Sequence, residues 1–292
     1  MELIIALSAG LLAMLGWGIS DFFAKKSVDK VGHVASIFWM QFLGLIPLII
    51  VFLIQSKPIN FDLSLVLPII VLGLIDGLGY LLFYRALEKG KASIVSPIVA
   101  SYAVLSIIVA KFFLAEVLST KIILILLLVF IGIIILSIDF EELKKKKDRK
   151  WTGGIVEAII AALLFSVWFP FWGKLVVDQD WLIMLILLRL VMSGFLFTVI
   201  KATKTQYIIK SKMTFSWLII IALLDSLAYF VLTWGYGSTS YISVVTIMSS
   251  IYSLPTLVLA WIFLKERLNK FQYVGIGLIL FGIAALAFFG QH

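Results

Sequence analysis

Two aspartates lie in the middle of long apolar segments, and each is followed by a tyrosine one helical turn later. Asp76 precedes Tyr80 in the first segment, and Asp225 precedes Tyr229 in the second. A carboxylate at the centre of a membrane costs about 2.5–3.5 kcal/mol on the insertion scale. Because two acids are placed alike in the two halves of one chain, they predict a polar centre that has a function.

Residues four positions apart share one face of a helix, so each aspartate begins a polar stripe. Tyr84 continues the first stripe and Thr233 continues the second. A carboxylate at this depth can take up a proton and couple it to solute movement, or it can pair with a substrate ammonium group. The structural alternative is that each aspartate bonds a neighbouring helix or pairs with Arg189.

Arg189 lies near the middle of another apolar segment, where an arginine has to be paired or hydrated. Its guanidinium group has the shape to hold a substrate carboxylate with two parallel hydrogen bonds. The other interpretation is that it neutralises Asp225 or another acid and fixes the helix packing. Both roles remain open at this stage.

Further candidates for the wall of a solute cavity are aromatic or hydroxylated. The aromatic ones are Trp17, Tyr102, Trp168 and Trp234, with anchoring at the membrane interface as the alternative. The hydroxylated ones are Ser243, Thr246 and Ser250, with close helix packing as the alternative. Near the ends of their segments, Asp21 is expected to meet the interface or Lys25, and Glu157 to face water.

The composition excludes several kinds of site. Of 292 residues, 63% are hydrophobic and 14% are charged, which is typical of a helical protein with many membrane spans. The chain has no cysteine and two histidines, which argues against metal clusters, thiol chemistry and an enzyme. The net charge of +8 falls mostly in loops, where it indicates topology and lipid contact, with no nucleic-acid partner and no bound cofactor.

The apolar segments predict an all-α membrane protein with ten transmembrane helices. The predicted spans are residues 3–24, 34–54, 64–86, 92–114, 119–139, 152–174, 181–201, 214–236, 241–264 and 270–289. Pro97 and Pro255 are expected to kink the fourth and ninth spans.

The chain reads as two five-helix repeats, at 1–139 and 152–292, separated by a charged loop at 140–151. The second half repeats the Asp and Tyr positions, and it also repeats Glu116 as Glu266 and Gly132 as Gly282. Five is an odd number, so two tandem copies must lie in the membrane with opposite orientation. Inverted repeats are typical of secondary transporters, which predicts alternating access around a central cavity.

Most lysines and arginines follow the first, third, fifth, seventh and ninth predicted helices. The positive-inside rule therefore predicts that these loops are cytoplasmic and that both termini are outside.

The pattern resembles the EamA branch of the drug/metabolite transporter superfamily over nearly the whole chain. The resemblance rests on the two repeats, on Gly16-Trp17-Gly18 in the first helix, and on Phe-Leu-x-Glu-x-Leu at 113–118 and 263–268. It implies a cavity built by helices 1, 3, 4, 6, 8 and 9, export of small metabolites, and cytoplasmic termini, which disagrees with the charge count.

The sequence therefore predicts a multi-pass plasma-membrane exporter of a small polar or amphipathic solute, amino-acid-like in character, with protons as a candidate coupling ion. The alternatives are a flippase for a lipid or a lipid-linked sugar, and a non-transporting membrane scaffold.

Overall fold

The computed structural model describes residues 1–55, 61–90, 92–113, 119–137, 154–177, 179–264 and 270–289. Within these ranges the regular elements are twelve α-helices and one short 3₁₀ turn, Leu63–Leu65. The helices are α1 Glu2–Val31, α2 His33–Gln55, α3 Val66–Lys89, α4 Ala92–Ala100, α5 Tyr102–Phe113, α6 Thr120–Ser137, α7 Ile155–Val176, α8 Trp181–Thr203, α9 Lys212–Ser238, α10 Ile242–Ser250, α11 Ser253–Leu264 and α12 Lys270–Phe289. The predicted charged loop at 140–151, together with Glu116 and Glu266, lies outside the described residues.

Eight stretches of the described chain are long and apolar enough to cross a membrane. They are Glu2–Val31, His33–Gln55, Leu63–Lys89, Val95–Phe113, Ile155–Val176, Trp181–Thr203, Lys212–Ser238 and Ile242–Phe263. Thr120–Gly132 and Tyr273–Gly282 are shorter apolar helices at the positions of the predicted fifth and tenth spans. The all-helical membrane fold is thus confirmed, and the count of ten spans stays a prediction.

The fourth and ninth predicted spans are each built from two short helices. α4 ends at Ala100 and α5 begins at Tyr102, while α10 ends at Ser250 and α11 begins at Ser253. Pro97 lies inside α4, one turn before its break, and Pro255 occupies the first turn of α11, where no backbone donor is needed. The expected kinks thus coincide with breaks of one and two residues in the helices, which turn hydrogen bonds bridge, and Tyr102 and Tyr252 lie at these breaks.

The first helix is longer than its predicted span of 3–24. Lys25 and Asp29 form an ion pair one turn apart, which supports the added turns. The helix ends where Gly32 takes a φ of 79°, in the left-handed region that favours glycine. Because α2 begins at the next residue, the first two helices are joined by a one-residue connection.

The two halves of the chain interlock. Helix α1 packs along α9, and its counterpart α7 packs along α3. Helix α2 contacts α9, and its counterpart α8 contacts α3. The counterparts α2 and α8 also pack against each other, as do α6 and α12. These contacts between the halves have equivalents when the halves are exchanged, and the core of the molecule is the surface between the halves.

Helices α3 and α9 cross in opposite directions. Tyr229 bonds Asp76, whereas Tyr80 bonds Asp225, so the residue order along one helix is reversed along the other. Outward-facing side chains are largely apolar, as at Ile54, Phe112 and Phe281, which is the surface expected for a protein in lipid. The crossing brings the polar residues of both motifs to the centre.

Candidate functional site

Asp225 has several hydrogen-bond partners at the centre of the molecule. Its Oδ1 accepts hydrogen bonds from the Trp17 indole at 3.0 Å and the Tyr80 hydroxyl at 3.1 Å. Its Oδ2 forms an ion pair with the Nη2 of Arg189. Asp225 and Arg189 are both buried. A buried carboxylate with three donors, one of which is a cation, is neutralised within the protein and has little capacity left for a ligand.

Arg189 is held on several sides. Its Nη1 donates to the Gln41 side-chain oxygen at 2.5 Å, and its guanidinium lies 4.5 Å from the centre of the Tyr229 ring. These contacts join α8 to α2 and α9. Of the two roles open from the sequence, the geometry favours the pair with Asp225 over a hold on a substrate carboxylate.

Asp76 has far fewer partners. Its Oδ2 accepts a hydrogen bond from Tyr229 at 2.7 Å. Its Oδ1 is buried and finds no hydrogen-bond partner among the described residues. An unpaired oxygen of this kind is expensive away from water, so it marks a place for a proton, a water or a ligand.

The tyrosines do not bond the aspartate of their own helix. The spacing of four residues puts Tyr80 beside Asp76 and Tyr229 beside Asp225 on the same face. In the structure each hydroxyl instead donates to the aspartate of the other half. The two sequence motifs therefore form one joint centre at the antiparallel crossing of α3 and α9.

A small cavity of about 20 Å³ lies beside this centre, which is room for about one water molecule. It is lined by Trp17, Asp21, Asp76, Tyr80, Phe83, Tyr102, Phe165, Phe169, Tyr229 and Tyr252. All ten are buried. They lie on the six helices that the sequence resemblance implies, counting each interrupted span as one helix.

Asp21 is one of five lining residues that the sequence did not identify, and the others are Phe83, Phe165, Phe169 and Tyr252. The expectation that Asp21 meets the interface or Lys25 is wrong, because Lys25 pairs with Asp29 and Asp21 is only 4% exposed. Among the described residues its Oδ2 has no hydrogen-bond partner. The available signal was its position one turn after Trp17, on the same face of the first helix.

Several other predicted site residues are buried but do not line the cavity. Tyr84 donates to the Met40 sulfur at 2.8 Å, and Thr233 accepts from the Trp172 indole at 3.1 Å. Thr246 and Ser250 donate to carbonyl groups of their own helix. Ser243 is buried in α10 beside them. These side chains serve the packing around the site, with Thr246 also contacting Tyr236.

Trp168 was expected to mirror Trp17 on the cavity wall, and the structure puts another ring there. Phe165 meets Tyr80 edge-on at 5.3 Å, as Trp17 meets Tyr229 at 5.4 Å. Trp168 instead stacks on Trp172 at 5.7 Å and lies behind the wall, where it meets Phe169 and Tyr229 edge-on. Trp234, also considered for the wall, is 37% exposed on the outer surface.

Two contacts between the halves lie at opposite ends of the molecule. At one end Glu157, at the start of α7, pairs with Lys89 and Arg85 at the end of α3. At the other end Glu2, at the start of α1, accepts hydrogen bonds from the backbone and the hydroxyl of Ser240 after α9. The same kind of junction is therefore ionic at one end and hydrogen-bonded at the other.

A second pocket, of about 380 Å³, opens at the end of Glu2. It is lined by Glu2, Lys174, Val177, Tyr236, Gly237, Ser238, Thr239, Ser240 and Ile242. At the opposite end the junction is tight. Gly154, with a φ of 92°, lies so close to α3 that a Cβ atom would be 2.5 Å from the Ala86 carbonyl oxygen. The described residues at the ionic end are therefore closely packed.

Comparison with known proteins gives three findings. The family model described as the EamA-like transporter family matches residues 4–138 and 152–288. An uncharacterised protein of Methanocaldococcus jannaschii is 32% identical over 134 residues, which are 46% of this chain and 97% of that protein. A crystal structure at 14% identity superposes with a TM-score of 0.78 over 98% of this chain and 97% of that one, which shows a shared fold.

Proposed function

This chain belongs to the EamA-like transporter family, whose model matches both of its halves, and on that premise we propose that it exports a small solute by alternating access. Membership makes it a multi-pass membrane transporter of the drug/metabolite superfamily. The direction, the plasma membrane as its location and the coupling to protons are parts of the proposal. Export follows the expectation drawn from the family resemblance.

The observation that carries the proposal is the open oxygen of Asp76 beside a cavity between the halves. Asp76 forms no ion pair among the described residues, since Arg189 is paired with Asp225, and a carboxylate left so at this depth is neutralised by a proton or by a bound cation. Exchange of one for the other would couple solute movement to the proton gradient. Asp225 would not contribute, because Arg189 already neutralises it.

Alternating access is supported by the two end contacts. A carrier of this kind needs one closure on each side of the central site, and only one may open at a time. The Glu157 and Glu2 junctions have corresponding places in the two halves and lie at opposite ends. The antiparallel crossing of α3 and α9 supports an inverted arrangement of repeats at 1–139 and 152–292.

The proposed orientation puts the ionic end in the cytoplasm. Lys25, Arg85 and Lys89 lie at this end, so it is also the end with basic connections. The pocket of about 380 Å³ would then be an outer vestibule. The contact of Glu157 with Lys89 and Arg85 at the cytoplasmic side would open to admit a solute for export.

A lipid substrate is less well supported. A lipid flippase needs a groove that opens sideways to the bilayer, whereas the residues lining the central cavity are at most 7% exposed. A scaffold has no use for an open carboxylate at this depth. The buried site therefore favours a solute carrier over both alternatives.

The test is a proton-flux measurement in proteoliposomes that contain a pH-sensitive dye. Amines, amino acids, sugars and nucleosides are added in turn across a pH gradient, and solute-dependent proton movement is recorded. Asp76→Asn should abolish it, while Asp29→Asn, an exposed acid on α1, should retain it. Full solute-driven proton flux in the Asp76→Asn protein would rule out coupling at Asp76.

A further inference from the structure

The wall of the central cavity combines aromatic rings with acids. Of the ten lining residues, eight are aromatic and two are aspartates, and none is basic. The charged neighbour of this wall is Arg189, whose guanidinium is engaged by Asp225 and Gln41. The site therefore presents negative charge and π-electron faces, both of which attract cations.

The hydroxyl groups of this wall have little donor capacity left. Tyr80 and Tyr229 donate to the aspartates, and Tyr252 donates to the Ser96 carbonyl oxygen at 3.0 Å. The Trp17 indole donates to Asp225. The groups that remain available are acceptors, namely Oδ2 of Asp21 and Oδ1 of Asp76. A ligand for this site has to bring its own donors.

From this balance we infer that the substrate class is an organic amine, bound through a primary ammonium group. Asp76 accepts N–H hydrogen bonds from the ammonium group, Asp21 adds negative charge to the same wall, and the rings of the wall surround the adjacent carbon atoms. The inference rests on the proposed transport function and specifies the solute. It departs from the amino-acid-like solute expected from the sequence, because none of the described residues lining the cavity is basic and could pair with a substrate carboxylate.

The volume of the cavity indicates in which conformation of the protein such a ligand binds. About 20 Å³ holds one water molecule and no amine, so the site is closed around its centre in this structure. An amine enters only after one of the end contacts opens and the rings separate. Asp21 lies on α1, which carries Glu2, and Asp76 lies on α3, which carries Arg85 and Lys89. Ligand binding and opening therefore involve the same helices.

The test uses compounds that share one phenylethyl group and differ in charge. They are phenethylamine, its trimethylammonium analogue, L-phenylalanine, 2-phenylethanol and 3-phenylpropionate. Titration calorimetry on the purified protein in detergent measures each affinity. Phenethylamine should bind at least about tenfold more tightly than the alcohol, the acid or the quaternary amine, since it alone supplies both charge and N–H donors without a carboxylate.

Two variants and a control locate the binding. Asp21→Asn and Asp76→Asn should each weaken phenethylamine binding about tenfold or more, and Asp29→Asn on the same helix as Asp21 should not change it. Thermal melting of each variant shows whether it is folded. Binding of the alcohol as tight as that of the amine, in the unaltered protein, overturns the inference, as does undiminished amine affinity in both cavity variants.

A transport measurement separates this inference from the one on which it rests. Counterflow of labelled phenethylamine and of labelled phenylalanine is compared in proteoliposomes. Amine counterflow supports both proposals. Counterflow of phenylalanine without the amine overturns the amine assignment and leaves the carrier function standing. Counterflow of neither, with no solute-dependent proton flux, contradicts both.

Discussion

Asp76 and Asp225 occupy equivalent places in the two halves, yet their surroundings differ. Asp225 is bonded by Trp17, Tyr80 and Arg189, whereas the one hydrogen-bond donor to Asp76 within the described residues is Tyr229. The difference comes from neighbouring helices, since both motifs have the same spacing. One carboxylate is therefore part of the framework, and the other is available to a proton or a ligand.

The source of the difference can be traced to two positions. Phe165 meets Tyr80 where Trp17 meets Tyr229, so the second half lacks an indole donor for Asp76. Helix α2, the counterpart of the helix that carries Arg189, contains no lysine or arginine. The residues there include Met40 and Gln41, which accept hydrogen bonds and bring no charge. The Asp–Tyr motif is thus repeated in the second half, but the charged and hydrogen-bonding groups around its aspartate are not.

The largest effect should come from breaking the ion pair between Arg189 and Asp225. Arg189→Met leaves Asp225 buried without its cation and should cost about 3–5 kcal/mol of folding stability. Unfolding of the detergent-solubilised protein by heat or by SDS measures the loss. Removing both charges with Arg189→Met and Asp225→Leu should restore most of it. Lys201→Met, which removes an exposed charge from the same helix, is the control. An equal loss of stability in the control would contradict the view that the Arg189–Asp225 pair is part of the framework.

The next effect compares the two tyrosines. Tyr229→Phe removes the donor of Asp76 and should lower proton-driven flux about tenfold or more, because hydrogen bonds to a charged group contribute about 1.5–3 kcal/mol. Tyr80→Phe should have a smaller effect, since Asp225 keeps Trp17 and Arg189. Flux in proteoliposomes, corrected for the amount of folded protein, is the measurement. Equal losses would mean that both acids work alike.

Trp17→Phe gives the first half the ring that the second half has at Phe165. It removes one of three donors from Asp225 and should cost about 1 kcal/mol of stability. The melting temperature should fall by a few degrees. Trp234→Phe, on the exposed surface, is the matched control and should leave the melting temperature unchanged. A larger loss than that of Arg189→Met would reverse the ranking of the partners of Asp225.

The smallest effect concerns the end contacts. Glu157→Gln weakens a partly exposed ionic junction, and pairs of this kind contribute about 0–1 kcal/mol. Opening at that end should therefore increase only a few-fold. The rate at which a maleimide labels a cysteine near the cavity measures this opening. The chain has no cysteine, so Ser249→Cys, beside the lining residue Tyr102, gives a single site for the label. Glu2→Gln should not increase labelling from the Glu157 side, and an increase there would argue against separate closures.

The sequence predicted the helical membrane fold and the family because those depend on local patterns. Apolar runs define spans, and the repeated Asp, Tyr and Phe-Leu-x-Glu-x-Leu positions define the two halves. Both central aspartates were found for the same reason. Their exchange of tyrosines between halves was not predicted, since spacing determines which residues share a face and not which helix that face meets.

Asp21 and Trp168 show the other limit. Asp21 was assigned to the interface from its distance to the end of a predicted span, but α1 continues to Val31 and the residue lies deeper. Trp168 was paired with Trp17 by residue type, whereas packing against Tyr80 selects Phe165. A helix that turns 100° per residue moves a side chain to another face within two positions, so a small error in register changes which ring reaches the cavity.

Carrying both halves in one polypeptide has a consequence for how such a carrier can evolve. Two identical half-length subunits would have to present the same acid twice, so any arginine that fixed one would fix the other. After duplication and fusion, one copy can acquire a counter-ion while its twin stays reactive. Division of labour between sister carboxylates is therefore open to a fused gene and closed to a symmetric homodimer.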